Sequence, residues 1–343
     1  MLSKERLKRI ITRGFARIPF TFFEKLTGTE MIIVYYHIVG DDDVPHVKHL
    51  HPIKSTKEFR KDLDFLLKTF SPMGLSEFLN DVKSGRPLAK RVFLLTFDDG
   101  YREISDVIAP ILLEKGITAT FFVNSAFVDN KELSYKNKAS LVVDEFLKCQ
   151  SSDRKKALEL FQQFHDDYCV NDIASRVISI KYEQRSFLDE IANALSISFS
   201  DYLMVKKPYL TSDQINRLIR GGFTIGAHSI DHPMYQSLPL EKQVYQTLES
   251  VRFVRDTFHL NYGVFAFPFS DQDISKEFFE RVAHSKSVDL TFGTAGLMED
   301  SAPNHLQRFS LERPIDTAER IIAFQLARKL TRAITGNAKI VRA

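Results

Sequence analysis

Nearly continuous apolar, β-branched and aromatic runs recur at residues 31–36, 91–97, 118–123, 223–227, 262–267, 288–292 and 307–311. Uninterrupted runs of this length, rather than alternating ones, are the pattern of strands buried on both faces. Segments of helical period lie between them. Ser55 and Glu58 have the spacing of a capping box ahead of Phe59, Leu63, Leu66, Leu67 and Phe70, which share one helical face. Thr211 and Gln214 repeat the device, and Gly221 is placed to close that helix in a left-handed cap. Strands alternating with helices predict a parallel α/β sheet, and about seven strands favour closure into a distorted, incomplete (β/α) barrel. Residues 129–206 break the rhythm. They are rich in Lys, Glu, Asp and Gln, carry no strand pattern, and predict a helical insertion whose apolar face includes Leu141, Val142, Phe146, Leu158, Leu160 and Phe161. The insertion is expected to shape access to the barrel rather than to supply chemistry.

A length of 343 residues exceeds the roughly 250–300 at which single cores stop growing. The chain divides by pattern into a basic amphipathic segment at 1–30, a barrel domain at 31–320 with its insertion at about 129–206, and a basic C-terminal helix or tail at 321–343. Each of the stretches 1–25 and 321–343 carries a net +5, so the overall +3 leaves the middle at −7. A nucleic-acid-binding core would carry the basic excess itself, which excludes nucleic acid as the partner. Near the N-terminus Leu7, Ile10, Ile11, Phe15 and Ile18 recur at helical spacing, with Lys4, Lys8, Arg9, Arg13 and Arg17 interleaved and Pro19 as a break. That pattern fits a helix lying on an anionic membrane surface, or one packed on the body of the fold with its charges solvated. No apolar run is long enough to span a bilayer, and no signal-peptide pattern opens the chain. Two cysteines, Cys149 and Cys169, are too few for a disulfide framework and read as thiols in a reducing compartment. The expected location is the cytoplasm, with peripheral attachment to the inner membrane face through the basic ends.

In parallel α/β folds ligands collect where the strands end. The run at 91–97 is followed by Asp98, Asp99 and Gly100, either a solvated turn or two carboxylates sharing a cation or proton. The run at 223–227 is followed by His228, Ser229, Ile230, Asp231 and His232. Histidines four apart fall on one face of a helical turn and suit a single metal, and one Asp with two His leaves coordination positions open, as catalysis requires. The run at 262–267 leads into Pro268, Phe269 and Ser270, and the run at 31–36 into His37. His46, His49 and His51 crowd the loop beyond, as solvated loop residues or substrate contacts.

Thr96-Phe97-Asp98-Asp99-Gly100 followed by His228-Ser-Ile-Asp-His232 resembles the polysaccharide deacetylase family, the NodB-homology enzymes of carbohydrate esterase family 4. The resemblance spans residues 31 to about 128 and 207 to about 315. It implies Asp98 as catalytic base, Asp99, His228 and His232 as ligands of a divalent metal, Zn²⁺ for preference, and Phe269, after Pro268, as a backbone N–H donor to the oxyanion. Tyr101, Pro268 and Arg308 are the expected substrate contacts. Two family features are absent: the Arg two residues before the Pro is Ala266, leaving Arg308 or Arg313 to partner Asp98, and the late Leu-x-x-His and Trp motifs are missing. The circularly permuted branch acting on poly-N-acetylglucosamine carries its acid His in an early Tyr-His segment. Tyr36-His37 is similar to it, so the resemblance assigns His37 as the acid.

The implied function is metal-dependent hydrolysis of the N-acyl group of an amino sugar, in surface polysaccharide biosynthesis. Two rivals remain: a deacetylase or deformylase of a lipid-linked sugar at the inner membrane face, and a catalytically inactive glycan-binding scaffold.

Overall fold

A computed structural model of the chain describes residues 20–84, 91–150, 152–164, 173–313 and 316–343. The strands, in chain order, are β1 (Met31–Tyr36), β2 (Ser71–Pro72), β3 (Val92–Phe97), β4 (Thr120–Val123), β5 (Thr224–Ala227), β6 (Val264–Ala266), β7 (Leu290–Gly293), β8 (Glu299–Asp300), β9 (His305–Gln307), β10 (Phe309–Ser310) and β11 (Lys339–Ile340). The main sheet runs β10-β1-β3-β4-β5-β6-β7-β9 with every pairing parallel, and β2 adds to β3.

The expected barrel is present, but its path has eight strands rather than seven. The extra one arises because the last stave is split at Arg308. β9 before it pairs with β7, and β10 after it pairs with β1, so one short segment all but closes the ring. Alternate residues along each stave serve two cores. Ile32, Val34, Phe93, Leu95, Phe121 and Ile225 face the surrounding helices, whereas Ile33, Val92, Leu94, Phe122, Val264 and Phe292 fill the barrel interior, which Phe78 and Leu79 close from a flanking helix.

Both capping boxes form, at Ser55–Glu58 and Thr211–Gln214. Two local details differ from the sequence reading. Leu67 lies off the packed face, exposed, while Phe59, Leu63, Leu66 and Phe70 are buried. The left-handed residue after helix Ser212–Arg220 is Gly222 (φ +88°), because Gly221 keeps φ −76° and donates to the Arg217 carbonyl within the last turn.

The 129–206 stretch is helical where described. Its helices Tyr135–Lys148, Ser152–Phe164, Ile173–Ser179 and Phe187–Ala194 share a separate core around Val142, Phe146, Phe161, Val177 and Ile191. The C-terminal helix Ala318–Ile334 buries Ile321, Ile322, Leu326 and Ala327 in the main core. Several basic residues of this end turn inward: Lys329 donates to Thr29 Oγ1 (3.1 Å), and Arg342 pairs with Asp271 and Asp300. The Leu7–Ile18 pattern and Cys169 lie outside the described residues. No described helix is long and apolar enough to cross a membrane.

Candidate active site

Parallel pairing brings the carboxyl ends of the staves to one end of the barrel, and the loops there enclose a cavity of about 430 Å³. Its wall includes His37 after β1, Asp98 and Asp99 after β3, His228 and His232 after β5, and Phe267 and Phe269 after β6. The helical insertion adds Ser134, Lys136, Asn137 and Ile178.

The turn after β3 sets the two carboxylates apart. Asp99 (φ +71°) and Gly100 (φ +67°) are both left-handed, a conformation Asp tolerates and Gly adopts freely, and a Cβ on Gly100 would press Val123 at 3.0 Å. Asp99 consequently turns toward the histidines and Asp98 into the barrel. Asp99 Oδ1 stands 3.4 Å from His228 Nε2 and 3.1 Å from His232 Nε2. The His segment is not the helical turn its spacing predicted. It is an irregular loop with Ser229 and His232 left-handed, in which Ser229 Oγ accepts from the His232 N–H (3.0 Å). Convergence of the two rings comes from this loop, not from helical periodicity.

These three side chains fit a divalent metal. Their donor atoms lie within 4.8 Å of one another. Asp99 Oδ1 is buried without a hydrogen bond of acceptable geometry, although both imidazoles face it. His228 donates from Nδ1 to the Ala266 carbonyl (2.9 Å), which leaves Nε2 as the free acceptor and is the outer support typical of a metal-bound imidazole. Burial pushes the His232 pKa down, which favours its neutral form. Burial alone would raise Asp99, but the imidazoles beside it outweigh that and hold it well below the usual carboxylate range. Neutral imidazole and ionised carboxylate are the states a metal ligand needs, and two His with one carboxylate suit zinc with open positions.

Asp98 is held from behind by Arg308, which is 0% exposed inside the barrel and lies over the Tyr35, Phe122 and Phe292 rings. Its guanidinium donates in fork geometry to Asp98 Oδ1 (2.8 Å) and Oδ2 (2.9 Å), and also to Thr96 Oγ1 (2.9 Å). Between the two Arg candidates for replacing the missing motif residue, the structure selects Arg308. The same position weighs against its expected role as a substrate contact: it does not line the cavity, and its guanidinium is engaged by Asp98, Thr96 and the Gly293 carbonyl between aromatic rings. Burial would raise the Asp98 pKa, but the Arg308 charge overrides this and lowers it.

His37 Nδ1 donates to Glu312 Oε2 (2.6 Å), and the His37 backbone N–H binds the other carboxylate oxygen. Burial works to lower the His37 pKa, but Glu312 outweighs it and raises it to about 10. His51 stacks on His37 with centroids 4.5 Å apart. The loop histidines are not free loop residues: His51 lines the cavity, His46 is buried against the Tyr202 hydroxyl (2.8 Å), and the half-buried His49 faces Asp144 (3.4 Å). Glu312 was missed by sequence reasoning, since no motif marks it, whereas His51 takes up the ligand-facing alternative that its loop position left open.

Phe269 is left-handed (φ +56°) and 39% exposed, its ring lies against His232 (4.6 Å), and its backbone N–H has no acceptor among the described residues. Pro268 is buried and absent from the cavity wall, which does not favour its expected substrate contact, whereas Tyr101 lines the wall. The Tyr101 hydroxyl accepts from Asn137 of the insertion (3.0 Å), and its ring is stacked on Tyr209 (5.8 Å) with His46 beside it (5.6 Å). His305, the alternative acid, is buried outside this cavity in a network with Asp271 (3.0 Å) and Thr291 (2.7 Å).

The polysaccharide deacetylase family model matches residues 85–284, more than half of the chain. The chain belongs to this family. It is accordingly a deacetylase-type hydrolase acting on amide bonds. Solved structures of similar fold include the Streptococcus pyogenes deacetylase PplD in complex with acetate (14% identity, TM-score 0.54, covering 85% of this chain and 96% of that one). IcaB from Ammonifex degensii is similar at 16% identity and TM-score 0.53, with 88% and 98% covered. The polysaccharide deacetylase BC0361 from Bacillus cereus shares 12% identity at TM-score 0.50, with 86% and 68% covered. No curated protein matches the chain. His37, Arg308 and Glu312 fall outside the stretch matched by the family model, just after β1, between β9 and β10, and after β10.

Proposed function

We propose that this polysaccharide deacetylase removes the N-acetyl group from an amino sugar in a polysaccharide or saccharide precursor, using zinc held by Asp99, His228 and His232, in the assembly of a surface polysaccharide. The observation that carries this reading is the enclosure, in one cavity, of an Arg-held ionised carboxylate, a two-His-one-carboxylate cluster and a Glu-held cationic imidazole. That same combination argues against an inactive scaffold, since a binding module has no use for a buried Arg308–Asp98 pair. When bound, the metal supplies Lewis acidity and a water that ionises near neutral pH. Asp98, kept ionised by Arg308, accepts the proton of the attacking water. The Phe269 N–H donates to the oxyanion that develops on the amide oxygen. His37, kept protonated by Glu312, donates its Nε2 proton to the departing sugar amine, which is otherwise a poor leaving group.

Acetate release from N-acetylated oligosaccharides, abolished by chelation and restored by zinc, is the expected result; no release from any amino-sugar substrate would defeat the reading. The alkaline limb of kcat reports loss of the His37 proton. Glu312 raises that pKa against burial, so Glu312→Gln moves the limb from near pH 10 to lower pH. An unmoved limb removes His37 as the acid.

Cytoplasmic placement with peripheral membrane attachment is part of the same proposal, and it now rests on the N-terminal end, because Lys329 and Arg342 at the other end are engaged within the fold. Full-length protein should co-sediment with anionic vesicles at low salt and be released at high salt, as surface charge attraction requires. A chain beginning at Phe20 should not bind at all; equal binding by both sinks the attachment.

A further inference from the structure

Thr294 is shared by two cavities. One is the catalytic cavity. The other, of about 680 Å³, lies beyond the wall formed by Ser270 and Thr294 and is bounded by helix Ala318–Ile334 and the C-terminal strand. Both volumes fall in the range of small-molecule sites, about 300–1,000 Å³.

Arg328 and Arg332, one turn apart on that helix, line the second cavity. Among the described residues no carboxylate lies within 4.0 Å of either one. Arg332 donates to the Ala295 carbonyl (3.4 Å), and Arg328 lies over the Phe324 ring (5.7 Å). The acids nearby do not offset them. Asp271 is committed to Arg342, His305, Gln307 and the Thr294 N–H, while Asp273 stands exposed to water, which screens it. Burial pushes both guanidinium pKa values down, and neighbouring positive charge adds to this: Arg313 acts on Arg328, and Arg328 on Arg332. The cavity thus holds two guanidiniums that no described carboxylate pairs with directly, although Asp273 and the terminal residue Ala343 share its wall. Gln325, on the same wall, has its amide oxygen buried and unbonded.

A pair of planar guanidiniums matches the oxygens of a phosphoryl group. We infer that the Arg328–Arg332 cavity binds a phosphate or diphosphate carried by the substrate, so that the enzyme acts on an amino sugar with a phosphoryl linkage whose N-acyl group lies across Thr294 in the catalytic cavity. The inference rests on the deacetylase reading of that neighbouring site.

The test compares three substrates of one N-acetylhexosamine: the methyl glycoside, the 1-phosphate, and the polyprenyl diphosphate in detergent. Wild-type enzyme should favour the phosphorylated forms. Arg328→Gln/Arg332→Gln should raise their KM about tenfold or more, the scale of lost charge-assisted hydrogen bonds, and leave kcat and the methyl glycoside unchanged. A rise for both phosphorylated forms makes the phosphoryl group sufficient, and a rise for the polyprenyl form alone marks the lipid-linked source. Unchanged turnover of the methyl glycoside shows that the variant is folded. Inorganic pyrophosphate, titrated calorimetrically, should bind wild type and lose at least tenfold in the variant, a readout that stands even if no acetate is released. No pyrophosphate binding, or equal KM changes for neutral and phosphorylated substrates, overturns the inference.

Discussion

His232→Ala abolishes metal retention and, with it, acetate release. The proposed site has three protein donors, and the buried oxygen of Asp99 that faces both imidazoles lacks any other adequate partner. Removing one imidazole leaves a two-donor site of Asp99 and His228. The fold should survive, because His232 Nδ1 bonds nothing and its side chain packs mainly against the exposed Phe269 ring. Elemental analysis of purified protein, with thermal unfolding as the control, is the measurement. Stoichiometric metal in a folded His232→Ala protein would show that the ion, if bound, sits elsewhere.

Asp98→Asn lowers kcat by about 100-fold or more while leaving the metal bound, on the scale of a lost general base. Asparagine keeps the size of the side chain but cannot take the proton. Arg308→Met acts on the same group from behind. It leaves a carboxylate buried without its partner, at about 3–5 kcal/mol in stability, which a denaturant titration reads directly. Because Arg308 is what lowers the Asp98 pKa against burial, its loss raises that pKa, and the acid limb of kcat/KM moves to higher pH. Wild-type kcat in Asp98→Asn, or an acid limb that stays in place in Arg308→Met, would separate Asp98 from proton transfer.

The second cavity changes how the chain's charge is understood. In composition the C-terminal stretch is simply a basic end suited to an anionic surface. In the fold, Arg342 is consumed by Asp271 and Asp300, Lys329 caps a contact to Thr29, and Arg328 and Arg332 face a cavity. Net charge counts residues, whereas the field a ligand meets depends on which charges already have partners.

The local chain determined the staves, the capping boxes, the helical insertion and the residues of the two contiguous motifs. A strand buried on both faces must be apolar along its length, and a carboxylate pair or His pair at a strand end is written in adjacent positions. The tertiary structure alone decided the partners of those groups. Asp98 and Arg308 are 210 residues apart, and His37 and Glu312 are 275 apart. The split of the last stave at Arg308, the irregular loop that makes His228 and His232 converge, and the inward turn of the C-terminal arginines belong with them. Local periodicity is enforced residue by residue through burial. The protonation and pairing of a buried charge are instead set by whichever distant group the closing barrel places within a few ångströms of it.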